Sequence, residues 1–190
     1  MPPSSSMPPV VGIFVGGASS RMGGHPKGLL RAPDGRPIVE RWRGLCESLE
    51  LPCVLVGAAA AYAGLGLDAI ADARAGRGPL GGLTALLAAR PETHAVAVAC
   101  DMPYVTEALL ARLAGDDDGA AVLAPFEDGL YQPLFARYER ARVLPVAQRQ
   151  LDEGDTSLQK LIRTAGAHPF PLSDAEKRQL ADWDEPADAG

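Results

Sequence analysis

Short continuous apolar runs alternate along the chain with segments in which apolar residues recur every three or four positions. The runs predict strands of a parallel sheet that is buried on both faces, and the periodic segments predict helices that cover those faces. The four clearest runs are residues 10–15, 53–57, 95–100 and 120–124. Their alternation with helices predicts a single-domain α/β fold, a three-layer sandwich around a mostly parallel central sheet.

Four signals mark where helices begin. Pro37 suits the first position of a helix that buries apolar residues at helical spacing. Thr106 is the predicted N-cap of another helix. Residues 156–159 and 173–176 both fit the capping-box pattern, in which Ser or Thr precedes Glu or Gln by three positions. These signals indicate that helices follow the apolar runs over most of the chain.

Length, composition and charge narrow the class of protein. The chain has 190 residues, of which 47% are hydrophobic, and this is enough for one α/β domain with its own core. The formal net charge of −6 argues against a general nucleic-acid binder, which carries a basic face. No run approaches the roughly 18 apolar residues of a membrane span. Neither a nucleic acid nor a membrane is therefore expected as a partner.

The start of the chain and its cysteines add two expectations. Residues 1–8 are uncharged, are rich in Pro and Ser, and lack the basic start and apolar core of a signal peptide. We therefore expect a disordered lead-in over residues 1–8, one domain over residues 9–190, and a cytoplasmic location. Cys46, Cys53 and Cys100 lie among apolar residues without metal-ligand spacing, which predicts buried, reduced thiols.

The strongest candidate for chemistry is the glycine-rich loop of residues 16–28, which directly follows the first apolar run. Its glycines allow backbone N–H groups to approach phosphate oxygens, and Arg21 and Lys27 carry the positive charge that a triphosphate needs. Gly28 stands where a Walker A motif requires Ser or Thr, and the glycine spacing does not fit a dinucleotide fingerprint. The loop predicts a phosphate site; an ordinary glycine-rich surface loop is the alternative.

A carboxylate follows the third apolar run. Asp101 comes directly after residues 95–100, where a carboxylate beside a triphosphate loop is well placed to hold magnesium. The alternative is that Asp101 caps the next helix, but Thr106 already serves that purpose. We therefore favour the metal role.

A second carboxylate precedes a second glycine-rich segment. Asp72 follows the strand-like residues 67–70, and the glycines of residues 76–82 open a helix. Gly81 and Gly82 at this helix start would allow an anion or a flat ring to approach the backbone. Close packing of the helix on the sheet explains the same glycines equally well.

Residues 132–136 predict an edge strand that meets a helix. Tyr131 and Gln132 would then lie near an acceptor substrate, although a structural turn accounts for them equally well.

These motifs, in this order, resemble the molybdenum cofactor guanylyltransferase family within the α/β nucleotidyltransferases. That family has Leu-Ala-Gly-Gly, then Arg-Met-Gly-Gly, then Asp-Lys-Gly-Leu-Leu. The corresponding segments here are Phe14-Val15-Gly16-Gly17, Arg21-Met22-Gly23-Gly24 and Pro26-Lys27-Gly28-Leu29-Leu30. The later segments that are similar to the family are Gly78-Pro79-Leu80-Gly81-Gly82, Cys100-Asp101-Met102-Pro103-Tyr104 and Gln132-Pro133-Leu134.

The resemblance implies a Rossmann-like fold of the nucleotide-diphospho-sugar transferase type and a magnesium-dependent reaction. GMP would pass from GTP to the terminal phosphate of molybdopterin, with release of pyrophosphate. The implied catalytic residues are Arg21, which stabilises the leaving pyrophosphate, Lys27, which neutralises the phosphates, and Asp101, which holds the metal. The implied nucleotide-binding residues are Phe14, Val15, Gly16, Gly17, Lys27, Gly57, Asp72, Gly81 and Asp101.

The implied partners are the substrates GTP and molybdopterin and, for the product, molybdenum-dependent oxidoreductases or their chaperones. A monomer or a weak homo-oligomer is expected. Gly57 stands where the family often has an Asn that contacts the base or sugar, so contact here must come from the backbone. A sister enzyme that uses CTP or another phosphorylated acceptor, and a non-catalytic nucleotide or cofactor carrier, are the alternatives. The pair Gly16-Gly17 favours the guanylyl branch.

Overall fold

The computed structural model describes residues 7–15, 26–57, 60–71, 76–116 and 118–181. The strands of this part are β1 (Val10–Phe14), β2 (Cys53–Val56), β3 (Ala69–Ile70), β4 (His94–Ala99), β5 (Val122–Ala124), β6 (Phe126–Glu127), β7 (Leu130–Tyr131), β8 (Phe135–Glu139) and β9 (Ala167–Pro169). Its helices are α1 (Ile38–Ser48), α2 (Gly78–Ala89), α3 (Glu107–Gly115), α4 (Arg140–Asp152), α5 (Leu158–Thr164) and α6 (Asp174–Gln179), with short 3-10 helices over Lys27–Leu29 and Ala60–Leu65. None of the helices in this part combines the length and the apolar character that crossing a bilayer requires.

Seven strands form one sheet in the order β3-β2-β1-β4-β8-β5-β9, and β6 and β7 form a separate hairpin. Parallel pairs join β1 to β2 and β4, β2 to β3, and β5 to β9. Among the described strands of this sheet, β8 alone runs against its neighbours, β4 and β5. The predicted α/β sandwich with a mostly parallel central sheet is therefore confirmed.

Side chains of β1 alternate between two hydrophobic layers. Val11 and Ile13 pack in the layer that contains the buried residues of α1 and α3. Val10 and Phe14 pack in the opposite layer, with the buried residues of α2, α4 and α5. Because both faces of the strand are covered, its sequence is continuously apolar rather than alternating. Each fully buried large apolar side chain contributes roughly 1.5–3 kcal/mol to the free energy of unfolding.

Gly12 allows helix α2 to pack directly on the middle of β1. A Cβ atom at this position would collide with the side chain of Leu86. The sheet and the helix that follows the second glycine-rich segment are therefore in direct contact beneath the carboxyl end of β1.

The prediction of an edge strand over residues 132–136 is wrong. Strand β8 begins at Phe135 and lies inside the sheet between β4 and β5. Proline cannot donate to a sheet ladder, but Pro133 comes before the strand, in the turn that Tyr138 stabilises by donating its hydroxyl proton to the Pro133 carbonyl at 2.7 Å. The strand therefore loses no ladder hydrogen bond and lies buried between β4 and β5.

Two predicted helix caps are confirmed. The Leu109 N–H donates to the side chain of Thr106 at the start of α3. At the start of α6, the Glu176 N–H donates to the Ser173 hydroxyl and the Ser173 N–H donates to the Glu176 carboxylate, which completes the capping box.

Two other predicted helix starts are displaced by one residue. Pro37 is the N-cap of α1 rather than its first helical residue. The N-cap of α5 is Ser157, whose side chain accepts from the Lys160 N–H, so the predicted box over residues 156–159 is wrong. Gln159 instead binds the backbone of Tyr131, accepting from its N–H at 3.2 Å and donating to its carbonyl at 2.6 Å. The hydrogen bonds of Gln159 with β7 thus replace the predicted bond of the Gln159 side chain to the start of its own helix.

Candidate active site

Lys27 and Asp101 meet at the carboxyl edge of the sheet. Lys27 Nζ lies 2.9 Å from Asp101 Oδ2, and the side chains are 25% and 18% exposed. The two residues are 74 positions apart in the sequence. They come together because β1 and β4 are parallel neighbours and each residue lies beyond the end of its strand. A cation and a carboxylate at this edge, both partly open to solvent, form a site that phosphates can reach.

The ends of β1, β2 and β4 are joined just below this pair. The Cys100 N–H donates to the Phe14 carbonyl at 3.2 Å, and the Val15 N–H donates to the Val56 carbonyl at 3.0 Å. Phe14 is buried and Val15 is half-buried. Two of the predicted nucleotide-binding residues therefore lie directly beside the strand that leads to Asp101.

The turn that carries Lys27 is held by a tyrosine that the sequence analysis did not single out. The Gly28 N–H donates to the Tyr62 hydroxyl at 3.3 Å. Tyr62 lies in the 3-10 helix Ala60–Leu65 after β2 and is 3% exposed. Burial raises the pKa of Tyr62 to about 12, so its hydroxyl stays protonated at neutral pH. An alanine-rich 3-10 segment has no apolar period, which left no signal for this residue in the sequence.

Cys46 and Cys100 are uncharged parts of the core, whereas the hydrogen bond with Cys46 lowers the pKa of the half-buried Cys53 thiol. Burial, together with the neighbouring Asp101 carboxylate, raises the pKa of the Cys100 thiol to about 12, which makes it a poor nucleophile at neutral pH. A hydrogen bond with Cys53, and then burial, raise the pKa of Cys46. All three cysteines are free, and Cys46 and Cys100 are buried as predicted whereas Cys53 is only half-buried.

Gly57 follows β2 in a backbone conformation that favours glycine, with a φ of 108°. Its N–H donates to the Ile70 carbonyl at 2.9 Å, which ties β2 to β3. An Asn at this position would be strained, so the backbone itself accounts for the residue type. The role of Gly57 in binding a nucleotide stays a prediction.

Gly81 lies buried in the first turn of α2, and its N–H donates to the Arg77 carbonyl at 3.3 Å. It therefore offers neither exposed surface nor a free N–H donor here, and its role in binding a nucleotide stays a prediction. Gly16, Gly17, Arg21 and Asp72 lie outside the described residues, and so does most of the predicted disordered lead-in. The roles assigned to these residues stay predictions.

Asp101 is a reasonable ligand for a magnesium ion. No cluster of three or more His, Cys, Asp or Glu side chains lies together within the described ranges. Magnesium in proteins is commonly held by only one or two carboxylates plus the phosphates of the substrate. A single, partly exposed carboxylate at the end of β4 therefore fits this ion better than it fits a metal that needs a full cage of protein ligands.

A cleft of about 470 Å³ opens on the same edge, farther along the sheet. Its wall includes Pro125, Leu130, Tyr131, Gln132, Leu172 and Lys177. The Ala99 N–H at the end of β4 donates to the Leu134 carbonyl at 2.9 Å, so the turn that enters β8 lies beside the strand that leads to Asp101. The edge thus carries a charged pair at one position and a larger, mixed apolar and polar cleft next to it.

The cleft is bridged by an ion pair between the hairpin and the last helix. Lys177 Nζ on α6 lies 2.8 Å from Glu127 Oε1 on β6, and both side chains are well exposed. Such exposed pairs contribute little to stability, so the walls of the cleft depend mainly on packing and on the contacts that Gln159 makes to Tyr131.

Comparisons with known proteins agree with this geometry. A family model described as "MobA-like NTP transferase domain" matches residues 11–170. The chain is 31% identical over 194 residues to a molybdenum cofactor guanylyltransferase of Pseudomonas putida, which covers 98% of this chain and 95% of the relative. It is 35% identical over 183 residues to a protein of the same name from Pseudomonas entomophila, which covers 92% of each.

Solved structures share the fold. Molybdopterin-guanine dinucleotide biosynthesis protein A from Archaeoglobus fulgidus superposes with a TM-score of 0.76 at 23% identity and covers 95% of this chain and 94% of its own. A 2-C-methyl-D-erythritol 4-phosphate cytidylyltransferase from Thermus thermophilus superposes with a TM-score of 0.67 at 15% identity and covers 96% of each chain. The match of the family model over most of the chain shows that this protein belongs to the MobA-like NTP transferase family and is a nucleotidyltransferase.

Proposed function

We propose that this enzyme transfers GMP from GTP to the terminal phosphate of molybdopterin, which releases pyrophosphate and forms the guanine dinucleotide form of the molybdenum cofactor. The observation that carries the proposal is the 2.9 Å contact between Lys27 Nζ and Asp101 Oδ2 at the carboxyl edge of the sheet. The names of the Pseudomonas relatives support the choice of substrates. Molybdenum-dependent oxidoreductases or their chaperones would then receive the product.

The transfer exchanges one bond at phosphorus for another. A terminal phosphate oxygen of the acceptor attacks the α-phosphorus of GTP, and the bond from that phosphorus to the bridging oxygen breaks. Pyrophosphate leaves with the electron pair. Negative charge shifts among the phosphate oxygens, so positioning and electrostatic stabilisation matter more than a covalent nucleophile. Lys27 opposes the charge on the phosphates, and Arg21 would act on the leaving pyrophosphate.

Asp101 would hold a magnesium ion together with the phosphates of the substrate. When bound, that ion would polarise the phosphate oxygens. Asp101 Oδ2 now contacts Lys27, so Lys27 would exchange this carboxylate for the nucleotide phosphates when the metal complex enters. The pair therefore keeps both charges satisfied, at a small desolvation cost because both side chains reach solvent.

The nucleotide would lie over the ends of β1 and β2. Phe14, Val15 and Gly57 would form the described part of this site, and Gly16, Gly17, Asp72 and Gly81 are the further residues that we propose for it. Because Gly57 has no side chain, recognition of the base or sugar at that position would use backbone groups.

The acceptor would occupy the cleft between the hairpin β6–β7 and α6. Its volume of about 470 Å³ suits a compact heterocycle with a phosphate tail, and small-molecule sites commonly span roughly 300–1,000 Å³. Pro125, Leu130 and Leu172 offer apolar walls for a flat ring system, and Gln132 and Lys177 offer polar contacts. The position of the cleft beside the end of β4 would bring a phosphate tail toward Asp101.

A comparison of the four nucleoside triphosphates, each with magnesium, tests the choice of donor. We expect a thermal shift with GTP alone, since a ligand at about 100 times its dissociation constant adds roughly 2.7 kcal/mol to the free energy of unfolding. A shift with CTP alone would instead place the protein with the cytidylyl enzymes. Release of pyrophosphate from GTP only when molybdopterin is present would support the acceptor, and absence of turnover with intact binding would favour a carrier.

A further inference from the structure

Two backbone hydrogen bonds and one buried hydroxyl hold the turn that carries Lys27. The Leu29 N–H donates to the Pro26 carbonyl and the Leu30 N–H donates to the Lys27 carbonyl, both at 3.0 Å, which closes the turn on itself. The Gly28 N–H points instead to the Tyr62 hydroxyl, at 3.3 Å. This bond joins the turn to the segment after β2, which is otherwise 34 residues away in the sequence.

The ring of Tyr62 also limits how closely the turn can approach the sheet. A Cβ atom on Gly28 would lie 3.0 Å from Tyr62 Cε1 and 3.1 Å from the Tyr62 hydroxyl oxygen. Both distances are shorter than ordinary van der Waals contact, so a side chain at this position would press the Tyr62 ring aside by a few tenths of an ångström. Tyr62 is 3% exposed and packs in the same apolar cluster as Cys100, the residue before Asp101. Tyr62, which holds the turn of Lys27, and Cys100, which precedes Asp101, thus belong to one buried apolar cluster.

We infer that Tyr62 is a positioning residue for nucleotidyl transfer, because its hydroxyl and ring hold the Gly28 turn so that Lys27 faces Asp101 and the substrate phosphates. The inference rests on the proposed function of the Lys27–Asp101 pair. Tyr62 acts through Gly28 rather than on a reacting atom. A displacement of about 1 Å in a charged group can cost about 10²-fold in rate, so a buried hydrogen bond that prevents it has a kinetic effect.

The test is the variant Tyr62→Phe, which keeps the ring and removes the hydroxyl that accepts from Gly28. We expect kcat for pyrophosphate release to fall about tenfold while KM for GTP changes less than about threefold, because Lys27 is misplaced mainly with respect to charge in the transition state. Steady-state kinetics at saturating acceptor measure both values. Circular dichroism and an unfolding curve measure how much of the variant is folded.

Glu92→Leu is the control. Glu92 is 6% exposed and accepts from Arg90 Nη2 at 2.6 Å, so a buried polar contact is again removed, but Glu92 lies before β4, at the edge of the sheet opposite the Lys27–Asp101 pair. We expect this variant to lose stability with kcat per folded enzyme within about twofold of wild type. If Tyr62→Phe lowers only the unfolding temperature, or lowers kcat no more than Glu92→Leu does, the positioning role is overturned.

Two further variants separate this inference from the proposed function. Gly28→Ala pushes against the Tyr62 ring and should lower kcat as Tyr62→Phe does, and the double variant should lose little more than either alone because both act through one turn.

Lys27→Ala should lower kcat about 10²-fold, whereas Lys160→Ala should not, although Lys160 also forms a 2.9 Å ion pair with an aspartate. Wild-type turnover in Lys27→Ala would refute the proposed role of the pair. Loss in Lys27→Ala with wild-type kinetics in Tyr62→Phe would refute only the role of Tyr62.

Discussion

The two halves of the sheet deliver residues to the active edge in opposite ways. In the half formed by β3, β2, β1 and β4, all strands are parallel, and the chain reaches the edge where each strand ends. In the other half, β8 is antiparallel, so the chain reaches the same edge before the strand begins, at residues 132–134. The first half contributes Lys27 and Asp101, and the second contributes a cleft wall. One reversed strand is therefore enough to bring the proposed acceptor surface beside the proposed nucleotide surface.

The interiors of the two halves differ as well. The core positions of β1 and β4 are apolar, but β8 carries Arg137, which is 5% exposed. Asp118 Oδ1 lies 3.7 Å from Arg137 Nη2 and partly compensates the buried charge. The half that holds the proposed acceptor cleft thus has a buried cation within a strand that a carboxylate compensates, whereas the buried positions of β1 and β4 are all apolar. This difference predicts separate responses to mutation and to pH.

The largest effect is expected from a change that removes the proposed metal ligand, in the half that we propose to bind the nucleotide. Asp101→Asn keeps the size of the side chain and removes one charge, so the fold should persist while kcat falls about 10³-fold. Pyrophosphate release at saturating magnesium measures the loss.

Glu139→Gln is the control for Asp101→Asn. Glu139 Oε2 also lies close to a cation, 3.0 Å from Arg142 Nη1, but Glu139 pairs with His94 at the start of β4, at the opposite edge of the sheet. Its variant should keep wild-type turnover. Near-wild-type activity in Asp101→Asn would show that Asp101 does not hold the metal.

A smaller effect is expected from a change in the acceptor half. Leu130 is 58% exposed on the wall of the cleft, so Leu130→Ser should fold normally. Loss of its apolar contact should raise KM for molybdopterin about three- to tenfold and leave KM for GTP unchanged. Met7→Ser is the control, since Met7 is 52% exposed but lies before β1, at the opposite edge of the sheet. An equal change in both KM values would mean that the two halves do not bind separate substrates.

The nucleotide half was the more predictable one, for a physical reason. Strands buried on both faces are continuous apolar runs, and parallel strands must end at one edge, so Asp101 and Lys27 could be brought together from sequence alone. In β8, Arg137 and Glu139 interrupt the apolar pattern, and a preceding Pro133 is equally compatible with an edge strand. The carboxylate that compensates its buried Arg137 belongs to Asp118, and no local pattern connects that residue to the strand.

Tyr62 was missed for a different reason. Its contact with Gly28 joins two loops, and neither loop has a repeating pattern from which the partner could be inferred. The box over residues 156–159 failed because Gln159 binds β7, a tertiary contact that outweighs a local cap. The sequence alone thus predicts which segments are buried, whereas polar contacts between loops can be identified only in the assembled fold.

The smallest effect concerns the carboxylate that supports β8. Burial works to raise the pKa of Asp118, but the Ala120 N–H and the neighbouring His168 and Arg137 side chains outweigh it and hold that pKa below the ordinary 3.8. A carboxyl group whose pKa is lowered on folding stabilises the protein above its unfolded value, and that contribution is lost as the pH falls through the folded value. Asp118→Asn should therefore lower the free energy of unfolding by about 1 kcal/mol at pH 7, and the difference from wild type should shrink as the pH falls below 3.8. Urea unfolding curves at pH 7, 4.5 and 3 measure this difference, with Asp116→Asn as the neighbouring control. A difference that stays constant down to pH 3 would mean that Asp118 acts through packing, and the contrast between an apolar half and a charge-dependent half would then fail.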